Sequence, residues 1–432
     1  MLTSALILLA VFFILVMMGV PIAVSIALAS LSTLMMSMDL TPAATTMAQR
    51  LAGGLDSFTL LAIPFFVISG YLMGQGGIAK RLIEAAKAVV GTLPGGLALV
   101  NTLSCMLFGA ISGSAVAATS AIGTFMIPKM EEEGYDKNFS TAVTVTGSIL
   151  GLLIPPSNVL IVYAVAAGSV SIAALFMAGY VPGIMAGILL MIVAAFYAHK
   201  KRYPRSPRIP MKEALKKMLD AMPSILMVLI VVGGIIAGIF TATEASAIAV
   251  IYALVLSMVY GEIKIKDMPG VLLKSVETTA MVLLLIGVST GMAWVLSYEN
   301  IPQAISTALL TVSDNPIIIL LLINLILLVV GAFLDITPAI LIFTPIFLPV
   351  AMEMGMTPLH FGIMLVLNLS IGLCTPPVGS VLFVGCAVAG TSIQKLVRPL
   401  IMLYAALIAA LMLVTFIPFL SEGLPRATGL IN

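Results

Sequence analysis

Two adjacent prolines sit inside otherwise apolar runs at two places, "GLLIPPSNVLIVY" at Gly151–Tyr163 and "GLCTPPVGSVLFV" at Gly372–Val384. Proline lacks an N–H and its ring clashes with the preceding turn, at about 3 kcal/mol in a helix interior. A helix running through Pro155 and Pro156 would strip the carbonyls of Gly151 and Leu152 of their donors, and Pro376 and Pro377 would do the same to Gly372 and Leu373. Freed carbonyls beside a hydroxyl make a hard oxygen site of the kind that binds Na⁺ at half-helix ends. In the first copy the candidate Na⁺ ligands are the carbonyls of Gly151 and Ile154 and the Ser157 hydroxyl, with Asn158 nearby. In the second they are the carbonyls of Gly372 and Val378 and the Thr375 hydroxyl. Short polar tips, Ser112, Gly113 and Ser114 in one apolar segment and Gly331, Asp335 and Thr337 in another, could close the two sites. One Pro-Pro alone reads as a packing kink, since proline is frequent in transmembrane helices. Two at symmetric positions, each beside a hairpin, favour a site.

Other polar residues carry less. An intramembrane carboxylate such as Asp335 points to function, yet at a hairpin tip it equally suits the cap of a helix 338–354. Glu244 in "FTATEAS" serves the start of a helix 243–260, with Thr243 as its cap. Glu131–Glu133 reads as a solvated face. His199 and His360 are lone histidines without ligand spacing. Trp294 reads as an interface or packing aromatic, and Cys105, Cys374 and Cys386 as packing residues.

The elements that must position these residues follow from composition. Of 432 residues, 61% are hydrophobic and 9% charged, with mean hydropathy +1.22; soluble domains are about 25% charged. Apolar stretches of membrane-spanning length recur throughout, so the chain is an all-α polytopic membrane protein. No basic cluster interleaves with aromatics, so no nucleic-acid binding is expected. The N-terminal apolar run lacks a basic leader and reads as a retained helix. Crossings are expected near 4–18, 20–38, 56–76, 138–168, 172–198, 218–240, 243–260, 276–298, 358–390 and 394–420. The pairs 94–111 with 114–130 and 316–332 with 338–354 read as re-entrant hairpins. Segment 138–168 is long enough, about 46 Å as one helix against a core of about 30 Å, to accommodate a break. With both hairpins returning to the side they entered, all of the 20 Lys and Arg except Arg50 and Arg426 fall on the side of 199–217. The positive-inside rule makes that side cytoplasmic and both termini periplasmic.

Sliding the chain on itself by 221 residues brings Pro128 onto Pro349, Glu132 onto Glu353, Gly134 onto Gly355, Gly151 onto Gly372, and Pro155–Pro156 onto Pro376–Pro377. One offset is expected to hold over the whole hairpin and broken-helix unit. Five crossings plus a hairpin per copy make the repeats inverted. The expected organisation is a first repeat at 1–198 (hairpin 94–130, broken helix 138–168), a cytoplasmic linker at 199–217, and a second repeat at 218–432 (hairpin 316–354, broken helix 358–390). Inverted repeats with broken helices are the architecture of many secondary transporters.

The ordered set "GVPIAVSIALA" (19–29), "LLAIPFFVISGYLM" (60–73), "GGIAKRL" (76–82), "LPGGLALVN" (93–101), "LFGAISGSAVAATSAIG" (107–123), "GLLIPPSNVLIVY", "FTATEASAIAVIYAL" (240–254), "FTPIFLPVA" (343–351) and "HFGIMLVLNLSIGLCTPPVG" (360–379) covers nearly the whole chain. Together these resemble the large membrane subunit of a tripartite ATP-independent periplasmic (TRAP) transporter. One departure is Ala242, where the family often has proline. The resemblance implies elevator-type architecture and Na⁺-coupled symport of a small organic acid across the bacterial inner membrane, with two or more Na⁺ sites between hairpin tips and broken helices. C4-dicarboxylates, sialic acid and other sugar acids all fit as substrates. It implies a separate small membrane subunit as a partner, and a periplasmic binding protein that delivers the substrate. Gly113, Ser114, Pro155, Thr337 and Pro376 are the substrate-contact candidates. The amphipathic segment 78–92 would be an interfacial arm helix or a plain connector. A stand-alone Na⁺- or H⁺-coupled anion carrier needing no binding protein is the alternative. An enzyme is not expected: there is no HExxH and no convincing carboxylate pair, and no P-loop supports an ATP-driven permease.

Overall fold

The computed structural model describes residues 2–75, 77–168, 170–204, 210–313 and 315–431. Residues 205–209 of the expected linker, with Arg205 and Arg208, lie outside the described residues. The described residues form helices and no strand. The first repeat contains α1 (Leu2–Met17), α2 (Ile22–Leu34), α3 (Leu40–Leu55), α4 (Ala62–Gln75), α5 (Ile78–Val90), α6 (Gly96–Ser112), α7 (Ala115–Glu132), α8 (Lys137–Leu150), α9 (Asn158–Ala167) and α10 (Ile172–Lys200). The second contains α11 (Met211–Ile236), α12 (Ala242–Val259), α13 (Met268–Tyr298), α14 (Ile301–Val312), α15 (Pro316–Phe333), α16 (Ile336–Glu353), α17 (Pro358–Gly372), α18 (Ser380–Ala389), α19 (Ile393–Phe416) and α20 (Phe419–Ala427). Adding 221 to the bounds of α7 gives 336 and 353, the bounds of α16, and the starts of α8 and α10 map likewise onto those of α17 and α19. Among the described residues seven helices are long and apolar enough to cross a membrane, or eight if α3 and Phe58–Gly74, bent by 63°, form one span.

Each hairpin and each break has a local cause. Helix α6 ends on Gly113 at φ +63°, a left-handed turn open to glycine, and Ser114 restarts the chain by accepting the Ala117 N–H at 3.2 Å. The arms then run back together: near the start of α6, Asn101 Nδ2 lies 3.4 Å from Met130 Sδ near the end of α7. Asn101 also donates to Thr144 Oγ1 at 2.7 Å, which ties the hairpin to α8. In the second repeat Asn368 donates to Asn324 Oδ1 at 2.8 Å and ties α17 to α15. Both Pro-Pro segments interrupt their helices, leaving Gly151–Ser157 and Leu373–Gly379 outside helix, with both Pro-Pro peptide bonds cis. Every residue of α17 from Leu359 to Gly372 is buried, as is α8 from Phe139 to Leu150, so these two helices form the centre of the bundle.

Several expectations are corrected. The span near 56–76 is helical from Phe58 to Gly74, opening in a short 3₁₀ turn, and polar Asp56 and Ser57 separate it from the preceding α3, against which it bends by 63°. Amphipathic α3, α14 and α20 were not anticipated, since short helices with mixed polarity leave no long apolar run. Helix α11 begins at Met211, inside the expected linker. The cap of α12 is Thr241, not Thr243: its hydroxyl accepts the Glu244 N–H while Glu244 accepts the Thr241 N–H, a capping box. The Thr243 hydroxyl instead donates to the Phe58 carbonyl.

Candidate ion and substrate site

The two breaks are built differently around similar prolines. In the first, Ser157 caps α9 by accepting the Leu160 N–H at 3.4 Å and donates to the Leu152 carbonyl at 2.5 Å. In the second, Thr375 lies inside the break, where its hydroxyl donates to the Ile371 carbonyl at 2.8 Å and its N–H to the Gly372 carbonyl at 2.9 Å. The Leu373 carbonyl accepts the Val381 N–H at 3.2 Å, and Tyr404 donates to the Cys374 carbonyl. The expectation of four stripped carbonyls is therefore corrected. Leu152, Gly372 and Leu373 each regain a donor, because the broken chain folds back on itself instead of continuing as a helix. Among the described residues no hydrogen bond reaches the Gly151 carbonyl. The hydroxyls of Ser157 and Thr375 use their hydrogens on carbonyls, so their oxygens present lone pairs within a carbonyl-rich break.

Hairpins and breaks touch backbone to backbone. A Cβ on Gly109 would fall 2.9 Å from the Gly151 Cα, and one on Gly331 would fall 3.1 Å from the Gly372 Cα. Gly331 therefore corresponds to Gly109, an offset of 222 rather than 221. The single register expected over the whole unit fails in the first hairpin arm, because five steps separate Gly109 from Ser114 and four separate Gly331 from Asp335. The Gly379 N–H donates to the Ala332 carbonyl at 3.3 Å and fastens the second break to its hairpin.

A cavity of about 930 Å³ brings the two tips together. Ser112, Gly113, Ser114, Asn158, Asp335, Thr337 and Ser380 line it, facing a wall of α4, α5 and α13 that carries Tyr71, Lys80, Lys274 and Thr278. A Cβ on Gly113 would fall 2.9 Å from Asn158 Nδ2, so tip and broken helix are in contact at its edge. Asp335 stands at the N-cap of α16 without a side-chain cap bond, exposed to the cavity and 3.5 Å from the Ser380 hydroxyl, which donates to it. Pro155 and Pro376, named above as substrate contacts, do not line the cavity. Gly151, Ile154, Ser157, Gly372, Thr375 and Val378 do not line it either. Ile154 packs against Gly183 of α10, and Val378 is 41% exposed. Ser380, Tyr71 and Thr278 escaped the sequence reading. The repeat mate of Ser380 is Val159, and the Tyr71–Thr278 hydrogen bond (2.9 Å) joins positions 207 residues apart. His360 bonds Ser421 Oγ at 2.6 Å and the Thr415 carbonyl at 3.2 Å, so both ring nitrogens serve to tie α17 to the end of α19 and to α20.

Two hairpins and two broken helices, repeated along the chain and meeting around one cavity, are the arrangement of a transport permease. The sequence matches the family described as "Tripartite ATP-independent periplasmic transporter, DctM component" over residues 9–420, and the chain belongs to that family. It is 52% identical over 414 residues to the protein YgiK of Salmonella typhimurium, covering 96% of this chain and 95% of that one. It is 42% identical over 376 residues to the C4-dicarboxylate TRAP transporter large permease protein DctM of Pseudomonas aeruginosa, covering 87% and 88%. In fold it is similar to the Alcanivorax borkumensis YdaH transporter, with a TM-score of 0.57 at 14% identity over 88% of this chain and 90% of that one.

Proposed function

We propose that this permease carries a small organic acid by Na⁺-coupled symport across the bacterial inner membrane, together with a small membrane subunit and a soluble periplasmic receptor. The observation that carries this reading is the single cavity lined by both hairpin tips, with the two breaks directly behind them. Na⁺ binds at the breaks, through the Gly151 carbonyl and Ser157 in one and the carbonyls around Thr375 in the other. The substrate carboxylate occupies the cavity between Ser112–Ser114 and Asp335–Thr337. Occupied cation sites behind the tips offset the Asp335 charge and let an anion enter. The named C4-dicarboxylate relative supports a dicarboxylate as the first substrate to try.

Hairpins and broken helices move as one body against the wall of α4, α5 and α13, an elevator motion. With the Lys-rich loops inside and both termini periplasmic, the Lys80 and Lys274 end of the cavity is its cytoplasmic mouth, the release side. The test is uptake into proteoliposomes holding the permease and its small subunit, with a C4-dicarboxylate and the cognate receptor outside. An inward Na⁺ gradient and the receptor should both be required. Full uptake without the receptor would replace this reading with a stand-alone carrier, and uptake indifferent to Na⁺ would remove the coupling ion.

A further inference from the structure

The charged side chains that line the large cavity are divided between its two faces. Asp335 stands on the hairpin side, while Lys80 of α5, Lys274 of α13 and Glu262, in the turn after α12, stand on the opposite wall. The Glu262 carboxylate lies against the turn into α5, where a Cβ on Gly77 would fall 2.5 Å from its Oε1. Lys80 and Lys274 are exposed, and neither joins a salt bridge among the described residues. The two hydroxyls of the same wall have their hydrogens committed. Thr278 donates to the Lys274 carbonyl at 3.0 Å, so Tyr71 is the donor in the 2.9 Å bond between Tyr71 and Thr278. The two ammonium groups are therefore the side-chain donors that this wall has left for an anion.

The pair is confined to one end of the wall. At the 221-residue offset the repeat mates of Lys80 and Lys274 are Ile301 and Gly53, neither of them charged, so the inverted copy of this wall has no equivalent pair. Arg50, one turn before Gly53, has its guanidinium 5.2 Å from the centroid of the Trp294 ring. The hairpin side offers the Ser114 and Thr337 hydroxyls and the Asn158 amide, but its one charged group is the Asp335 carboxylate. A second anionic group on the substrate therefore finds its cations across the cavity and not at the tips. We propose that Lys80 and Lys274 take the far carboxylate of a dicarboxylate whose near carboxylate lies between the tips, and hold it at the cytoplasmic mouth until release. A monocarboxylate bound at the tips would leave both ammonium groups unmatched. The proposal rests on the organic-acid reading of this cavity given above.

The test is equilibrium binding of radiolabelled succinate to the purified permease with its small subunit, with monomethyl succinate as competitor. Saturating Na⁺, fixed ionic strength and a pH at which both carboxylates are ionised are used throughout. The wild type should prefer succinate to its monoester about 5-fold or more, the gain expected from two partly solvated ion pairs. Lys80→Gln combined with Lys274→Gln should weaken succinate binding about 5-fold while leaving the monoester's affinity and the unfolding midpoint in Na⁺ unchanged. Lys80→Arg combined with Lys274→Arg should restore the preference. Saturable succinate binding with the same preference in the wild type and the double glutamine variant overturns the lysines' role and leaves the organic-acid reading standing. Equal weakening of both ligands in that variant also overturns it, because the lysines would then not be reading the second carboxylate. Absence of saturable succinate binding by the wild type overturns the dicarboxylate reading itself, and the proposal with it.

Discussion

Gly109 and Gly151 meet backbone to backbone, and Gly331 and Gly372 repeat that contact in the other half of the molecule. Each pair lets a hairpin arm press its main chain against the start of a broken segment, with no side chain between. Gly151→Ala and Gly372→Ala therefore insert a methyl where no space exists. Overpacking of this kind typically costs about 1–3 kcal/mol. Both variants should reach the membrane, melt at a lower temperature than the wild type, and lose about 10-fold or more of Na⁺-driven uptake. Normal uptake in either variant would show that the close approach is not required for transport.

The hydroxyls at the two breaks are expected to differ in what they support. Ser157 caps α9 and bridges to Leu152, so Ser157→Ala removes a cap worth about 0.5–2 kcal/mol as well as a candidate ligand. Thr375 caps no helix, and Thr375→Ala should leave stability nearly unchanged while raising the Na⁺ concentration needed for half-maximal uptake. Thr375→Ser should restore it. Unchanged Na⁺ activation in both alanine variants would remove the side chains from the ion sites.

Asp335 and Ser114 occupy equivalent caps, but only Ser114 makes the cap bond. Ser114→Ala should accordingly destabilise by about 1 kcal/mol. Asp335→Asn should alter stability little and depress uptake strongly, because its carboxylate faces the cavity beside Ser380. A melting point lowered as far as in Ser114→Ala, with transport retained, would make Asp335 a structural cap.

Gly70 of α4 seats the tip of the first hairpin, and a Cβ there would fall 2.6 Å from the Ser112 carbonyl oxygen. Gly70→Ala should disfavour this seating. A cysteine at Ser120, which lines the cavity, would then react more slowly with a membrane-impermeant maleimide added from the cytoplasmic side. An unchanged rate would mean the hairpin does not move against α4.

The double prolines were legible because proline's missing N–H leaves a mark that survives any fold, and the hairpin tips because polar residues interrupt apolar runs. The fate of the carbonyls was not legible. Whether Leu152 or Gly372 finds a donor depends on how the broken chain turns, and sequence offset alone does not fix that. The one-residue difference between Gly109–Ser114 and Gly331–Asp335 is invisible to a single slide of the chain on itself. Ser380 gave no signal because its repeat mate is apolar, and α3, α14 and α20 gave none because mixed polarity resembles a loop.

The central claim is that the two breaks bind Na⁺, and thermal unfolding of the purified permease with its small subunit tests it without knowledge of the substrate. A ligand that binds only the folded state raises the midpoint with its concentration. Titration with NaCl, at ionic strength held constant with KCl, should raise the unfolding temperature progressively, with a smaller rise in Thr375→Ala and in Ser157→Ala. Identical midpoints in Na⁺ and K⁺ at every concentration would contradict the assignment of either break as a sodium site.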